Sequence, residues 1–260
     1  MPDAVLNDVV ITRPLAQADV LAQRVTALGR RAIIFPLLDI LPLADQAPLQ
    51  KALSDLRSYA LIAFVSPNAI DAAFAVRPDW PSAIPLAVVG EGSRQALARH
   101  AVTAKNYTII SPTDLDRTDS ETLLQELDLD ALRGKQVLIV RGETGRPLLS
   151  DALRAAGVHV TMLSAYRRVA PLFDDARRNE LKRLLCCQND WIVTSSEALR
   201  FFKHMVAQLD SAEGVAKMQQ QRMFVSHIRI AETAQAMGFT NITLTRSGDD
   251  GLLAALQSCS

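Results

Sequence analysis

Several signals that would identify a function at once are missing from this 260-residue sequence. Its three cysteines, Cys186, Cys187 and Cys259, are too few and too irregularly spaced for a disulfide framework or a Cys-x-x-Cys metal site. The four histidines form no His-x-x-x-His pair, so we expect no bound metal. Only 5% of the residues are aromatic, and 28 basic residues balance 28 acidic ones. A chain without surplus positive charge or stacking aromatics is not expected to bind nucleic acid.

Targeting and membrane signals are also missing. The first residues, Met1-Pro-Asp-Ala-Val5, lack the basic and apolar stretches of a signal peptide. The closest approach to a membrane span, 32–41, is too short and is interrupted by Pro36 and Asp39. Together with the sparse cysteines, which suit a reducing compartment, these absences predict a cytoplasmic protein with no membrane partner.

The sequence lacks the common phosphate-binding and nucleophile motifs. Gly90-Glu-Gly-Ser93 begins like a dinucleotide fingerprint, but Gln95 stands where the third glycine belongs. The first predicted strand runs into Thr12-Arg-Pro14 rather than a glycine-rich turn, and neither GxxxxGK[ST] nor GxSxG occurs. We therefore expect no cofactor and no serine-hydrolase chemistry.

The chain contains an internal duplication. Short apolar strands alternate with helical patterns throughout, and landmarks recur in the same order at nearly constant separation. The matching pairs are Arg13 with Arg141, Gly29 with Gly157, and Ser66 with Ser195, at separations of 128, 128 and 129 residues. A period this long is not a solenoid repeat. It predicts an α/β fold of two doubly wound parallel-sheet lobes, with a ligand site at the carboxyl ends of the strands, in the cleft between the lobes.

Helix starts at these strand ends are the first candidate binding elements. Ser66 directly precedes Pro67 after an apolar strand, a pattern typical of a helix N-cap. Thr194 and Ser195 are the counterpart, and Thr194 with Glu197 fits a capping box. Each start is either a well-capped helix alone or also a set of free amides for a substrate carboxylate.

Three other residue types are candidates. Arg13 and Arg141 stand at equivalent strand ends, where a guanidinium could bind a substrate carboxylate or merely a neighbouring acid. His227 follows a late predicted strand and is either structural or a substrate contact. Tyr166 lies in an extended, proline-containing segment, where its phenol is either a weak acid or a half-buried aromatic with a satisfied hydroxyl.

Five short motifs give the chain a family resemblance over residues 9–256. They are Ile11-Thr-Arg-Pro14, Phe64-Val-Ser-Pro67-Asn-Ala-Ile70, Val88-Val-Gly90, Ser164-Ala-Tyr166 and Asp249-Asp-Gly-Leu-Leu253. In order and spacing they resemble the uroporphyrinogen-III synthases. The resemblance implies a cofactor-free hydro-lyase that cyclises hydroxymethylbilane to uroporphyrinogen III, inverting the last pyrrole ring through a spiro intermediate.

The resemblance also implies an architecture. It gives a discontinuous lobe of residues 1–38 plus 170–260, a second lobe of 43–163, and two linker strands at 38–43 and 164–171. It implies a monomer, with hydroxymethylbilane as substrate and a transient hand-over from hydroxymethylbilane synthase.

The same resemblance assigns roles residue by residue. Tyr166 would donate a proton to the leaving hydroxyl. The other residues it maps are substrate contacts, namely Ser66, Gly90, Ser93, Thr194 and Ser195. Arg13, Arg141 and His227 are added as substrate contacts from their strand-end positions alone. His227 and the preceding Ser226 depart from the family, whose members often have glycine after this strand, and Ser196 replaces a frequent proline.

Two other classes fit the same absences. A hinged two-lobe binding protein needs no catalytic motif, and a two-lobe transferase would use a nucleotide donor. The missing phosphate loop disfavours the transferase, and Tyr166 in the predicted linker favours the enzyme over the pure binder.

Overall fold

A computed structural model describes residues 7–113, 120–209 and 213–258. Met1-Pro-Asp-Ala-Val5 and Cys259, both used in the sequence arguments above, lie outside these ranges. The strands are β1 Val9–Ile11, β2 Ala32–Ile34, β3 Asp39–Pro42, β4 Tyr59–Phe64, β5 Leu86–Val88, β6 Ile109–Ile110, β7 Gln136–Gly142, β8 His159–Val169, β9 Asp190–Val193, β10 Arg222–Val225 and β11 Ile242–Leu244. The helices are α1 Leu15–Ala27, α2 Ala47–Ser54, α3 Pro67–Val76, α4 Glu91–Arg99, α5 Ser120–Gln125, α6 Leu129–Leu132, α7 Leu148–Ala155, α8 Asp175–Leu185, α9 Ser196–Ala207, α10 Gly214–Gln219, α11 Ile228–Ala236 and α12 Gly248–Ser258.

The chain divides into two compact units. Unit 1 comprises Met1–Asp39 with Val169–Ser260, and unit 2 is continuous over Ile40–Arg168. The strands β3 and β8, which occupy most of the predicted linker segments 38–43 and 164–171, are neighbours in the sheet of unit 2. Their role as a two-stranded linker stays a prediction.

Unit 1 is built on a five-stranded parallel sheet in the order β11-β10-β9-β1-β2. Its central strands are apolar on both faces, which is typical of a parallel sheet covered by helices on each side. Ile192 of β9 packs with Leu21 of α1 and Leu252 of α12. The preceding residue, Trp191, stacks on Phe202 of α9 with ring centroids 4.6 Å apart, as strand alternation requires.

Unit 2 is built on a six-stranded sheet in the order β3-β8-β7-β4-β5-β6. The pairs from β8 to β6 are parallel. Alternate residues of β4 serve two hydrophobic cores, with Ile62 and Phe64 on one face and Leu61 and Ala63 on the other. The prediction of two parallel-sheet α/β lobes is therefore confirmed.

The duplicated halves and the two units do not coincide. Strands β1 and β2 correspond to β7 and β8, while β9, β10 and β11 correspond to β4, β5 and β6. Apart from β3, which is an additional strand in unit 2, each sheet thus combines the first two strands of one half with the last three strands of the other, in the same spatial order. The paired glycines behave alike, since Gly29 and Gly157 follow α1 and α7 with φ values of +76° and +82°. That left-handed backbone is the usual end of a helix.

A buried carboxylate lies at the amino end of β9. Asp190 is fully buried and accepts two hydrogen bonds of 2.6 Å from Arg222, one of 2.6 Å from Arg30 and one of 3.2 Å from Asn7. Burial alone would raise the pKa of Asp190, but the hydrogen bonds from these three side chains outweigh it and hold that pKa below its usual value. This cluster links Asn7, just before β1, and Arg30, just before β2, to β9 and β10.

Within the described ranges, no helix is both long and apolar enough to cross a membrane.

Candidate active site

Ser66 begins α3 at the carboxyl end of β4. Its backbone is extended (φ −167°, ψ 156°), and its Oγ accepts a 3.2 Å hydrogen bond from the Ala69 amide. Pro67 occupies the first helical position, where its missing N–H costs nothing. The predicted N-cap is confirmed, and the amides of this first turn point beyond the sheet edge.

Tyr166 reaches this edge because β8 contains a bulge. Arg141 of β7 pairs with Ser164, whereas the next residue, Gly142, pairs with Tyr166, so Ala165 is one residue in excess. A bulge of this kind reverses the alternation of side chains beyond it. Tyr166 therefore lies in the same core as Ala165, and only 3% of its surface is exposed.

The phenol of Tyr166 crosses β7 to meet β4. The strand order β8-β7-β4 separates the outer two strands by about 9.6 Å. The ring lies against Gly142, which has no side chain, and its hydroxyl is 3.1 Å from Ser66 Oγ. Since Ser66 Oγ already accepts from Ala69, its own proton is available for the phenol oxygen.

Arg141 is buried beside this pair. Its Nε donates to the Gly142 carbonyl at 3.1 Å and its Nη1 to the Arg146 carbonyl at 3.3 Å, so the loop 142–146 wraps around the guanidinium. Burial, followed by the positive charge of Arg168, lowers the pKa of Arg141, although Tyr166 acts in the opposite direction. Among the described residues Arg141 forms no ion pair, which removes the reading of a surface arginine neutralised by an acid.

Gly90 and Ser93 occupy the first turn of α4, which follows β5 at the same edge. The Ser93 amide donates to the Gly90 carbonyl at 3.0 Å. Ser93 is buried, with 2% of its surface exposed. The predicted substrate contacts at these two residues stay predictions.

Arg13 lies at the matching edge of unit 1. It follows β1 and forms a 2.7 Å ion pair with Asp249 in the first turn of α12. The preceding Thr12 donates its hydroxyl to the Ile192 carbonyl at 2.8 Å and ties β1 to β9. Asp249 could not be predicted as this partner from the sequence, because 236 residues separate the two and no pattern links them.

The helix start after β9 differs from the prediction by one residue. The cap is Ser195, whose Oγ accepts from the amides of Glu197 at 3.2 Å and Ala198 at 3.4 Å. The predicted capping box between Thr194 and Glu197 is wrong, because α9 begins at Ser196 and Glu197 is only its second residue. Thr194 lies half-buried between β9 and the cap.

His227 caps α11 in the same way. Its Nδ1 accepts from the Arg229 amide at 3.1 Å. The Arg229 side chain also faces the ring, with Nε 3.4 Å from Nδ1 and Nη2 3.5 Å from Nε2. Four helix starts in the two units are thus capped by Ser66, Gly90, Ser195 and His227, all candidates from sequence.

The described residues contain no group of three or more His, Cys, Asp or Glu that could hold a metal ion. Sequence reasoning also missed Gly142, although its place directly after Arg141 at a strand end is visible in the sequence.

Comparison with known proteins gives one consistent result. The family model described as uroporphyrinogen-III synthase HemD matches residues 19–254. The uroporphyrinogen-III synthase of Salmonella typhimurium is 32% identical over 254 residues, covering 96% of this chain and 99% of the relative. That of Escherichia coli K12 is 31% identical over 259 residues, with the same coverage.

Two solved structures are similar in fold. Uroporphyrinogen-III synthetase from Helicobacter pylori has a TM-score of 0.63 at 14% identity, covering 98% of this chain and 100% of that one. A mutant uroporphyrinogen III synthase from Thermus thermophilus has a TM-score of 0.59 at 13% identity, covering 96% and 98%. At these identities the likeness shows the fold alone.

Proposed function

The chain belongs to the uroporphyrinogen-III synthase family, and on that premise we propose that it cyclises hydroxymethylbilane to uroporphyrinogen III with inversion of the last pyrrole ring and loss of water. Residues 19–254 match the family model, and two relatives above 30% identity extend along almost the whole chain. This evidence favours the synthase over a two-lobe binding protein without chemistry.

The observation that carries the catalytic part is the 3.1 Å contact between Tyr166 and Ser66. The lone pair of the substrate's pyrrole nitrogen expels the terminal hydroxyl, and the C–O bond breaks. Tyr166 supplies the proton with which that oxygen leaves as water. Ser66, donating to the phenol oxygen, stabilises the resulting phenolate. The methylene left on the first ring is then attacked by the carbon of the last ring that already carries its bridge, which forms the spiro intermediate. The old bond from that carbon to the bridging methylene breaks, and the freed methylene bonds to the other α-carbon of the inverted ring. That carbon loses its proton, which restores the phenol.

Orientation is the larger task of the protein. Uncatalysed closure of the linear substrate gives the unrearranged isomer, so the enzyme must hold one folded conformer of a flexible chain. The ring of Tyr166 is itself nearly immobile, because the core of unit 2 buries it and Ser66 holds its hydroxyl. A proton donor fixed in this way selects among substrate conformers.

The substrate's many carboxylates suit the remaining candidates. The first turns of α3, α4, α9 and α11 offer backbone amides, and negative charge is favourable at a helix N-terminus. Arg13 adds a guanidinium on unit 1, and His227 stays a proposed substrate contact at the start of α11. The Arg141 guanidinium bonds to carbonyls of its own loop. We therefore propose that Arg141 supports Tyr166 and does not itself bind a substrate carboxylate.

The finer points of the proposal follow from the family. The enzyme is a cofactor-free hydro-lyase, acts as a monomer in the cytoplasm, and receives its substrate by transient hand-over from hydroxymethylbilane synthase.

A coupled assay tests the function. Hydroxymethylbilane is generated in situ, the protein is added, the products are oxidised and the uroporphyrin isomers are separated. We expect isomer III to predominate. Isomer I alone, formed at the rate seen without protein, would reject the synthase activity and leave the binding protein as the better account.

A further inference from the structure

The position of the Tyr166 phenol depends on a neighbour that has no side chain. A Cβ placed on Gly142 would lie 3.0 Å from Tyr166 Cζ, 3.1 Å from its hydroxyl oxygen and 3.2 Å from Cε2. We propose that Gly142 is a positioning residue for the reaction, whose missing Cβ lets the phenol cross β7 and reach Ser66. This inference rests on the proposed function and names a residue that sets the position of the proposed proton donor.

Backbone conformation does not require glycine here. The glycines with φ in the left-handed region are Gly29, Gly134, Gly145, Gly157, Gly238 and Gly248, and Gly142 is not one of them. Gly142 ends β7, and a glycine in a strand costs stability because it has most freedom to lose on folding. Close approach of the phenol is the reason that remains.

The phenol has no room to retreat from a new methyl group. Its ring is packed in the core of unit 2, and its backbone carbonyl accepts a 2.8 Å hydrogen bond from the Glu143 amide. The hydroxyl is also held by Ser66 at 3.1 Å. A shift of the ring by a few tenths of an ångström away from a new Cβ would misalign that hydrogen bond, whose strength depends on distance and angle.

Gly142 cannot easily move away either. Arg141 Nε bonds to the Gly142 carbonyl, and Arg141 Nη1 bonds to the carbonyl of Arg146 four residues later. A side chain at Gly145 would collide with Arg141 Nη2, so this loop is closed around the guanidinium. Arg141 thereby fixes the backbone against which the phenol rests.

The expected effect of Gly142→Ala is specific. A 1 Å misplacement of a catalytic group costs about 100-fold in rate, so a displacement of a few tenths should lower kcat by about tenfold. Substrate contacts elsewhere are untouched, so KM should change less than about twofold. Because slower proton delivery gives spontaneous closure more time, the share of isomer III should fall.

Gly134→Ala is the matched control. Gly134 lies just before β7, at its other end, with φ +72° and nothing within 4 Å of an added Cβ. That substitution strains the backbone and lowers Tm without approaching Tyr166. We expect wild-type kcat and a wild-type isomer ratio from Gly134→Ala, and a lower kcat with a smaller isomer III share from Gly142→Ala.

A second pair of variants tests the contact between Gly142 and Tyr166 by Tm instead of by activity. It gives an answer even if Gly142→Ala alone is poorly folded. Leucine at position 166 ends short of the phenol's outer atoms, so Tyr166→Leu leaves space over Gly142. We expect Gly142→Ala to lower Tm in the wild-type background and to leave it unchanged or higher in the Tyr166→Leu background.

The outcomes separate the two claims. A wild-type protein that forms no isomer III would reject the proposed function itself. A wild-type protein that forms isomer III, with Gly142→Ala matching it or with the same Tm loss in both backgrounds, would reject the positioning role of Gly142 alone.

Discussion

Arg13 and Arg141 occupy matching positions after equivalent strands, yet their guanidinium groups have different partners. Arg13 forms a 2.7 Å ion pair with Asp249 on α12 of unit 1. Arg141 is buried in unit 2 and bonds to the carbonyls of Gly142 and Arg146. One arginine is neutralised by an acid and only partly exposed, while the other organises the loop next to Tyr166. Both halves of the duplication therefore have arginine at this position, but the two guanidinium groups make different contacts.

The surrounding chain explains how this divergence arose. Three residues, 12–14, join β1 to α1, whereas five residues, 143–147, join β7 to α7. The longer connection can fold around a guanidinium. At the same 128-residue separation, Pro14 stands opposite Gly142 and Leu38 opposite Tyr166. Unit 1 thus has neither the phenol nor the gap that admits it, and we assign proton transfer to unit 2.

Of all the changes that distinguish the two units, removal of the Tyr166 hydroxyl should lower activity most. Tyr166→Phe deletes the proposed proton donor and should lower kcat by about 10²–10⁴, with Tm nearly unchanged. The measurement is the initial rate of isomer III formation. Tyr59→Phe, at the other end of unit 2, is the control and should keep wild-type turnover. Wild-type turnover in Tyr166→Phe would remove this residue from the mechanism.

The amino ends of the two sheets differ as much as the carboxyl ends. Asp190 of β9 corresponds to Leu61 of β4, so unit 1 buries a carboxylate where unit 2 buries an apolar side chain. Asp190→Asn leaves Arg30 and Arg222 without their counter-charge and should cost about 3–5 kcal/mol of unfolding free energy. Urea unfolding at neutral pH measures it; Leu61→Val, expected to cost roughly 1 kcal/mol, is the comparison.

The same cluster predicts a pH dependence. The pKa of Asp190 is depressed in the folded protein, so its stabilisation is complete above the unfolded pKa of about 3.9. That stabilisation should be lost as the pH falls below about 4, through the lower folded pKa. In Asp190→Asn, unfolding free energy should decline less steeply with acid. Identical slopes for both proteins would contradict the assignment.

The two serine caps offer a finer comparison. Ser66→Ala and Ser195→Ala each remove an N-cap and should each cost about 1 kcal/mol of stability. Only Ser66 also bonds to Tyr166, and losing that hydrogen bond should add about 0.5–1.5 kcal/mol to the barrier, which lowers kcat by roughly twofold to thirteenfold. Ser195→Ala should act on KM instead. Equal kcat losses in both variants would show that Ser66 does no more than cap α3.

The smallest effect concerns Arg13. Because Asp249 already neutralises it, Arg13→Ala should raise KM by no more than about fivefold, the equivalent of about 1 kcal/mol, and lower kcat less. Asp249→Asn should move KM in the opposite direction, since it frees the guanidinium for a carboxylate. Equal falls of kcat and kcat/KM in Arg13→Ala would place Arg13 in the chemical step.

The fold could be predicted from the sequence more completely than the candidate site. Apolar strands at repeated separations predicted the two parallel sheets, and serine followed by proline predicted the start of α3. Strand alternation, however, puts Tyr166 on the opposite face from Ala165, and only the bulge reverses this. The pairing of Arg13 with Asp249 depends on tertiary packing that no local pattern encodes. Helix caps and strand positions could be predicted from local sequence, whereas strand register and long-range pairing could not.

The interleaved origin of the two sheets has a consequence during synthesis. Unit 2 is one continuous stretch, Ile40–Arg168, and has all its strands once that stretch has left the ribosome. The first strand, Val9–Ile11, pairs with β2 and with Asp190–Ile192, so its second partner emerges about 180 residues later. At 5–20 residues per second, that wait lasts roughly 10–35 s. For that time an apolar strand made first has an open edge, and the nascent chain must keep it from pairing elsewhere.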